Sequence, residues 1–414
     1  MAVVGVICEY NPFHLGHARQ FRLIRERFGG DTPILCLMSG NYVQRGEPAV
    51  FDKFQRARAA VRCGADLVLE LPLTCALSSA EGFADGGVEI LERLGVADTL
   101  CFGSEHGDVE ALRETARLLL LPAFGEALRE ALRGGVSFAA ARAEAVRRMG
   151  GDASLLRRPN DILAVEYCKA LERRGSAMTA AAVLRGGGYH DVEADPEQPS
   201  ATALRLLLDT DGDWAAFLPA EAAEVLSGAP QYGLRYGERA MLARLRTLED
   251  AAFSSLPGGS EGLWHRVKTA CRRECSVQAV LQAAKSKRYA YSRLMRMLMC
   301  AYLGLSSDDL KRPPPYVRVL AFGERGRLLL HQARKQGRIP VIHAGETPQD
   351  EAYYALECRA ADLYTLFARE PAGTVCGLER RGRVYYDRES SGGQPAPAAG
   401  GTAWAAAAGA RPAP

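Results

Sequence analysis

Glu9–His17 reads EYNPFHLGH, with two histidines, His14 and His17, set three residues apart around a single glycine, Gly16. At i and i+3 the two imidazoles share one face of an opening helical turn. A helix N-terminus carries unpaired N–H groups and a partial positive charge, so phosphate oxygens are its natural guest. Imidazoles held there can donate hydrogen bonds to charge developing on a transferring phosphoryl group. Gly16 removes a side chain where a nucleotide would approach the backbone. Zinc fits less well, because two histidines leave it short of ligands. His265, Cys271 and Cys275 have no common zinc spacing either, and no metal ligand is assigned.

This motif needs a strand before it and a helix after it. Apolar runs recur about every 30 residues: VVGVI from Val3, ILCLM from Ile34, LVLEL from Leu67 and TLCFG from Thr99. The stretches between them, HARQFRLIRERFG and FDKFQRARAAVRCG, have helical spacing and close on glycine. Repeated βαβ units predict an α/β fold with a doubly wound parallel sheet. A fifth strand, MTAAAVL from Met178, follows three expected helices between about 108 and 174, so the first, α/β domain is expected to span 1–210. In such sheets ligands collect at the carboxyl ends of the strands, where EYNPFHLGH begins.

Residues 211–388 read as a mainly helical domain, with AAEVLSGA, ERAMLARLRTL and YSRLMRMLMCAYLGL at three-four spacing, and with YVRVLAF reading as a strand after a proline run. Between Glu261 and Cys300 there are nine Lys or Arg against two acidic residues. There Tyr289 and Tyr291 interleave with Lys285, Lys287, Arg288 and Arg293, a mixture that can hold phosphates and stack on unpaired bases. A solvated basic helix face has the same composition. Residues 389–414 are rich in Gly, Pro and Ala with almost no charge, the composition of a disordered tail.

Net charge is only +3, so nucleic-acid binding requires a local patch. No apolar run reaches a membrane span, no leader is evident, and the 11 scattered cysteines suit a reducing compartment. A cytoplasmic location is expected, with no membrane contact and no protein partner.

The H-x-G-H pattern after a first strand resembles the nucleotidyltransferase superfamily that includes class I aminoacyl-tRNA synthetases. The blocks VICEYNPFHLGHARQ, MSGNYVQRGEPA, ADLVLELP, FGSE, RPNDILAVEY, LRGGGYHD, SATALR and SKRYAYSRLMRML occur in this order. Together they closely resemble the bacterial tRNA(Met) cytidine acetate ligase family over roughly residues 1–380. The resemblance implies an ATP-binding segment of Ile7, Cys8, Glu9, Tyr10, Asn11, Pro12, Phe13, His14, Leu15, Gly16, His17, Ala18, Arg19 and Gln20. It also implies nucleotide contacts from Gly103, Asn160 and Arg185. Gly103 could equally serve a tight strand-to-helix turn, and Asn160 could cap the following helix. SATALR resembles the I-S-S-T-x-I-R phosphate motif with one hydroxyl missing, which makes Thr202 and Arg205 phosphate candidates while leaving Ser200 open as a plain N-cap. The loop SGNYVQRGEPAVFDK, with Gln44, Arg45, Glu47 and Lys53, is a candidate for tRNA or acetate contacts.

The implied activity is a ligase that activates acetate with ATP to acetyladenylate, then acetylates N4 of the wobble cytidine of elongator tRNA(Met). His14 and His17 are the catalytic donors in this reading, and magnesium is expected beside the phosphates. Two rivals keep the fold: an adenylyltransferase for a small phosphorylated metabolite, and a non-catalytic RNA-binding protein that uses ATP structurally.

Overall fold

Each apolar run expected to be a strand is one in the computed structural model, which describes residues 2–185, 199–259, 262–286, 289–343 and 345–388. The glycine run after Arg185, Lys287, Arg288 and the 389–414 tail lie outside the described residues. The strands are β1 (Val4–Cys8), β2 (Ile34–Ser39), β3 (Leu67–Leu71), β4 (Thr99–Ser104), β5 (Thr179–Leu184), β6 (Val317–Gly323), β7 (Val341–Ile342) and β8 (Tyr385–Asp387). The helices among the first five strands are α1 (Leu15–Phe28), α2 (Lys53–Arg62), α3 (Leu73–Ala76), α4 (Ala80–Leu94), α5 (Val109–Leu120), α6 (Pro122–Arg133), α7 (Phe138–Arg148) and α8 (Pro159–Arg174); α9 (Ala201–Asp209) follows β5. Four α-helices, not three, separate β4 from β5, because Pro122 ends one helical run and starts the next.

The sheet order is β5-β4-β1-β2-β3-β6-β7, and the first five strands are all parallel. Both faces are covered, which explains the continuous apolar runs. On one face Val4, Val6, Cys36, Met38, Cys101 and Val183 pack against Phe21 and Ile24 of α1 and Ala57 and Val61 of α2. On the other, Ile7, Leu35, Leu37, Leu100 and Phe102 pack against Phe83 and Val88 of α4 and Ala164 and Tyr167 of α8. From β1 the chain winds outward through β2 and β3, then returns to place β4 on the other side of β1. The loops after β1 and β4 therefore diverge and leave a crevice, the usual ligand site of such sheets.

The sheet does not end at residue 210. β6 pairs antiparallel with β3, and β7 and β8 pair with β6. Without β6 the row of backbone groups along β3 would be an open edge. Three buried glutamates and two buried cations fix this return. Lys53 Nζ lies 2.6 Å from both Glu70 and Glu379, Arg318 Nε lies 2.6 Å from Glu379, and Arg318 Nη2 lies 3.6 Å from Glu357. Lys53 thus leaves the set of substrate-contact candidates, because its ammonium is spent inside this cluster.

The helices of 234–303 gather around a separate core that includes Met241, Leu281, Leu294 and Leu298, whereas Ala222, Val225 and Leu226 of the preceding helix pack on the α1–α2 face of the sheet. The loop after β2 is wedged against it: Tyr42 donates to the Ala360 carbonyl at 2.9 Å, and Tyr364 donates to the Ala49 carbonyl at 2.9 Å.

Candidate active site

α1 starts at the mouth of the crevice with an unusual cap. His14 Nδ1 accepts from the Gly16 N–H at 3.1 Å, and the His14 N–H donates to His17 Nδ1 at 3.2 Å. The two rings stack with centroids 3.8 Å apart. Since each Nδ1 accepts, each neutral ring carries its proton on Nε2. Burial, with Arg185 and Arg205 nearby, pushes His14 down to about 3, and burial together with His14 and Arg185 holds His17 well below the usual histidine range. Both rings are uncharged Nε2–H donors at neutral pH. His14 is fully buried, and its Nε2 has no hydrogen-bond partner among the described residues.

The neighbours explain how the rings are held. Tyr10, buried at φ +46°, meets His17 edge-on at 4.8 Å, with Phe13 behind both. Asn11 Oδ1 accepts from the Val50 N–H at 2.8 Å and ties this turn to the loop after β2. Arg56 of α2 donates to the carbonyls of Glu9, Ser39, Gly40 and Phe51, joining the ends of β1 and β2. A Cβ on Gly16 would come within 2.9 Å of the His14 ring, so this glycine first of all makes room for the imidazole.

A cavity of about 220 Å³ opens beside these histidines. From the implied ATP-binding segment, Ile7, Cys8, Glu9, Tyr10, Asn11, His14, His17 and Gln20 line it, joined by Gly103, Asn160, Arg185, Thr202 and Arg205. Gly16 and Arg19 line an adjoining pocket of about 70 Å³ that shares His17, Gly103 and Arg185 with it. Pro12, Phe13, Leu15 and Ala18 line neither.

Three polar links assemble the far wall. Asn160 does not cap α8; the carboxylate of Glu105 does so, accepting from the backbone of Asn160 and Asp161 at 3.3 and 2.9 Å. Glu105 also accepts from Asn160 Nδ2 at 2.6 Å, which leaves Asn160 Oδ1 to accept from Arg185 Nη1 at 3.2 Å. Arg205 donates to the Asn11 carbonyl and to Thr202 Oγ1, at 3.1 and 3.2 Å. Ser200 is the N-cap of α9, accepting from the Ala203 N–H at 3.0 Å. Glu105 stands in the FGSE block, but nothing in the sequence places its carboxylate on a helix 55 residues later.

Gly103 lies within β4, not in a turn, and a Cβ there would sit 2.5 Å from Arg185 Cδ. The guanidinium reaches Asn160 because its stem crosses this glycine. Gly103→Ala must displace that stem, at a cost of about 1–3 kcal/mol. ATP affinity measured by titration calorimetry is expected to fall about tenfold or more; an unchanged affinity would separate Arg185 from nucleotide binding.

Gln44, Arg45 and Glu47 also line the cavity, and Glu9 Oε1 accepts from the Gln44 N–H at 2.6 Å. At Gly46 (φ +88°) this loop lies directly on the backbone of Met295 and Arg296, where a Cβ would come within 2.6 Å. The helix Tyr291–Leu303 thus abuts the cavity's rim, and its first turn carries Tyr291 and Arg293. Lys285 is exposed, and the Arg293 guanidinium lies over the Tyr289 ring, 4.9 Å from its centroid. Among the described residues no group of three or more His, Cys, Asp or Glu side chains is gathered as a metal site.

Comparison with known proteins agrees with this architecture. The family profile HIGH Nucleotidyl Transferase matches residues 1–375. The tRNA(Met) cytidine acetate ligase of Acetivibrio thermocellus is 33% identical over 408 residues, covering 92% of this chain and 98% of that protein; that of Syntrophotalea carbinolica is 39% identical over 359 residues, covering 83% and 84%. The crystal structure of apo Thermotoga maritima TmcAL superposes with a TM-score of 0.87 at 31% identity, covering 94% of this chain and all of that one. The same protein bound with alpha-thio ATP gives a TM-score of 0.84 at 30% identity, covering 93% and 100%. Likeness of this extent, in sequence and in fold alike, makes the chain a member of the tRNA(Met) cytidine acetate ligase family of HIGH nucleotidyl transferases.

Proposed function

We propose that this protein is an ATP-dependent ligase that converts acetate to acetyladenylate and transfers the acetyl group to N4 of the wobble cytidine of elongator tRNA(Met). The observation that carries the reading is the pair of neutral Nε2–H donors at the start of α1, one of them buried and unpartnered among the described residues, in a cavity also lined by Arg185 and Arg205. Such a site suits a polyphosphate, because preorganised donors gain strength as charge moves onto the departing pyrophosphate. In the first step a carboxylate oxygen attacks the α-phosphorus, the bond to the bridging oxygen breaks, and pyrophosphate leaves with its electron pair. In the second the cytidine amine attacks the acyl carbon, AMP leaves, and the amine's proton passes to solvent.

Residues 1–210 would carry the nucleotide chemistry, completed by the returning strands, and the helices of 211–388 the tRNA. The helix Tyr291–Leu303, whose Met295 and Arg296 backbone meets the cavity loop at Gly46, supports that division, with Lys285, Tyr289, Tyr291 and Arg293 as its candidate RNA contacts. Magnesium is expected with the nucleotide phosphates, where it would neutralise their charge. No helix among the described residues is long and apolar enough to cross a membrane, which fits a cytoplasmic tRNA enzyme.

The test supplies the purified chain with radiolabelled acetate, ATP and bulk tRNA, with acetyl-CoA as a competing donor. Label in N4-acetylcytidine that requires free acetate and ATP is the expected result. Acetate-dependent pyrophosphate release without labelled tRNA would point to another acceptor, and neither signal would leave an ATP-using RNA binder.

A further inference from the structure

The cavity changes character below the phosphate-facing residues. α8 supplies Asn160, Leu163 and Tyr167 to its lining, and at i, i+3 and i+7 these descend one helix face. At 1.5 Å per residue, Tyr167 lies about 10 Å along the axis from Asn160. The polar contacts of this stripe end at Asn160. Leu163 and Tyr167 instead join Ile7, Phe83 and Phe102 in an apolar wall, with the Tyr167 ring stacked on Phe102 at 5.5 Å.

One polar atom lies within that wall. Tyr167 is 2% exposed, and its hydroxyl is buried with no hydrogen-bond partner among the described residues. A hydroxyl left unpaired in such a place costs about 1–3 kcal/mol, and nearly all buried polar groups avoid that cost. Because the residue also lines a ligand cavity, a ligand oxygen can supply the missing partner. Burial, reinforced by Cys8 and Glu9, keeps the phenol well above the usual tyrosine range, so it is a donor.

We propose that this apolar end is the subsite for the small carboxylic acid, with the Tyr167 O–H donating to one carboxylate oxygen while Leu163, Phe83 and Phe102 enclose the short alkyl group. The inference rests on the ligase reading and adds to it the location of the acid. The carboxylate's other oxygen forms the new bond to the α-phosphorus as pyrophosphate departs. The oxygen held by Tyr167 becomes the carbonyl of the mixed anhydride, and no proton leaves the phenol. When the cytidine amine attacks the acyl carbon, negative charge collects on that same oxygen, where a fixed donor is most effective. Chain length is limited by the side chains that close the wall, of which Leu163 is the least buried.

The test is ATP–pyrophosphate exchange by the full-length chain with acetate or propionate. Tyr167→Phe keeps the ring and removes only the hydroxyl, so it is expected to raise the KM for acetate about tenfold or more, leave the KM for ATP within about twofold, and leave the melting temperature no lower. Leu163→Ala is expected to raise the propionate-to-acetate ratio of kcat/KM about tenfold, the discrimination one methylene provides in an apolar pocket. An unchanged acetate KM in Tyr167→Phe, a rise shared equally by ATP, or an unchanged propionate ratio in Leu163→Ala overturns the subsite. A wild-type chain without acetate-dependent exchange removes the ligase reading itself, a different result.

Discussion

His17→Ala is expected to lower acetate-dependent ATP–pyrophosphate exchange by about 100- to 1000-fold, the loss typical of one preorganised donor to developing charge. ATP affinity should fall far less, because the bond to the departing oxygen strengthens only in the transition state. The alanine also removes the acceptor for the His14 N–H, so two further variants separate the roles. His17→Asn offers an oxygen where Nδ1 stands and should keep the helix start while remaining as inactive as alanine. His17→Gln carries an amide N–H toward the Nε2 position and should recover part of the rate. Exchange by His17→Asn within about threefold of wild type would show that the donor is not catalytic. The pH profile supplies a second check: with His14 down to about 3 and His17 also lowered, neither ring should produce an acid limb near pH 6.5.

Lys53→Met is expected to be the most destabilising single change outside the apolar core, at about 3–5 kcal/mol in denaturant unfolding. The lysine is 2% exposed, and without its ammonium Glu70 and Glu379 would face each other with only Arg318 to balance them. Although burial opposes its charge, Glu379 and Glu70 hold Lys53 protonated. Adding Glu379→Gln to Lys53→Met should restore part of the loss, because it removes one of the stranded charges; a loss below about 1 kcal/mol in the single variant would show that this cluster does not fasten the C-terminal strands. Glu357 adds a pH dependence of known sign. Burial, with Glu70 and Glu379, raises its carboxyl to about 8. Its folded form thus holds a proton that the unfolded chain releases near the ordinary carboxylate range. That contribution is complete below the unfolded value and is lost as pH rises through about 8.

The two sites differ in how much of them could be read in advance. β1 to β5 were legible because each is buried on both faces and so reads as an unbroken apolar run of strand length. His14 and His17 were legible because a cap and its spacing are local. Both alternatives raised for Ser200 and Asn160 turned on a single hydrogen bond: Ser200 caps α9, whereas Asn160 leaves the capping of α8 to Glu105 and turns its amide toward Arg185. Gly103 showed a flexible residue but not the Arg185 stem that occupies the space of its missing Cβ. Lys53 looked like a loop cation open to substrate, and nothing in the sequence singled out Tyr167.

The sequence by itself determined β1 to β5, the crevice side of the sheet and the two donors, because strand period, helix caps and βαβ spacing are set by neighbours along the chain. The tertiary structure alone decided that residues 317–323 close the edge of β3, that Lys53 is enclosed by carboxylates, that the helix Tyr291–Leu303 stands at the cavity rim, and that the Tyr167 hydroxyl is buried in the cavity wall without a partner among the described residues. Each of those facts depends on residues far apart in the chain, as Lys53 and Glu379 are, 326 positions from one another. Local propensity carries no record of such pairings; they follow from which surfaces the folded chain must cover and which charges it must balance.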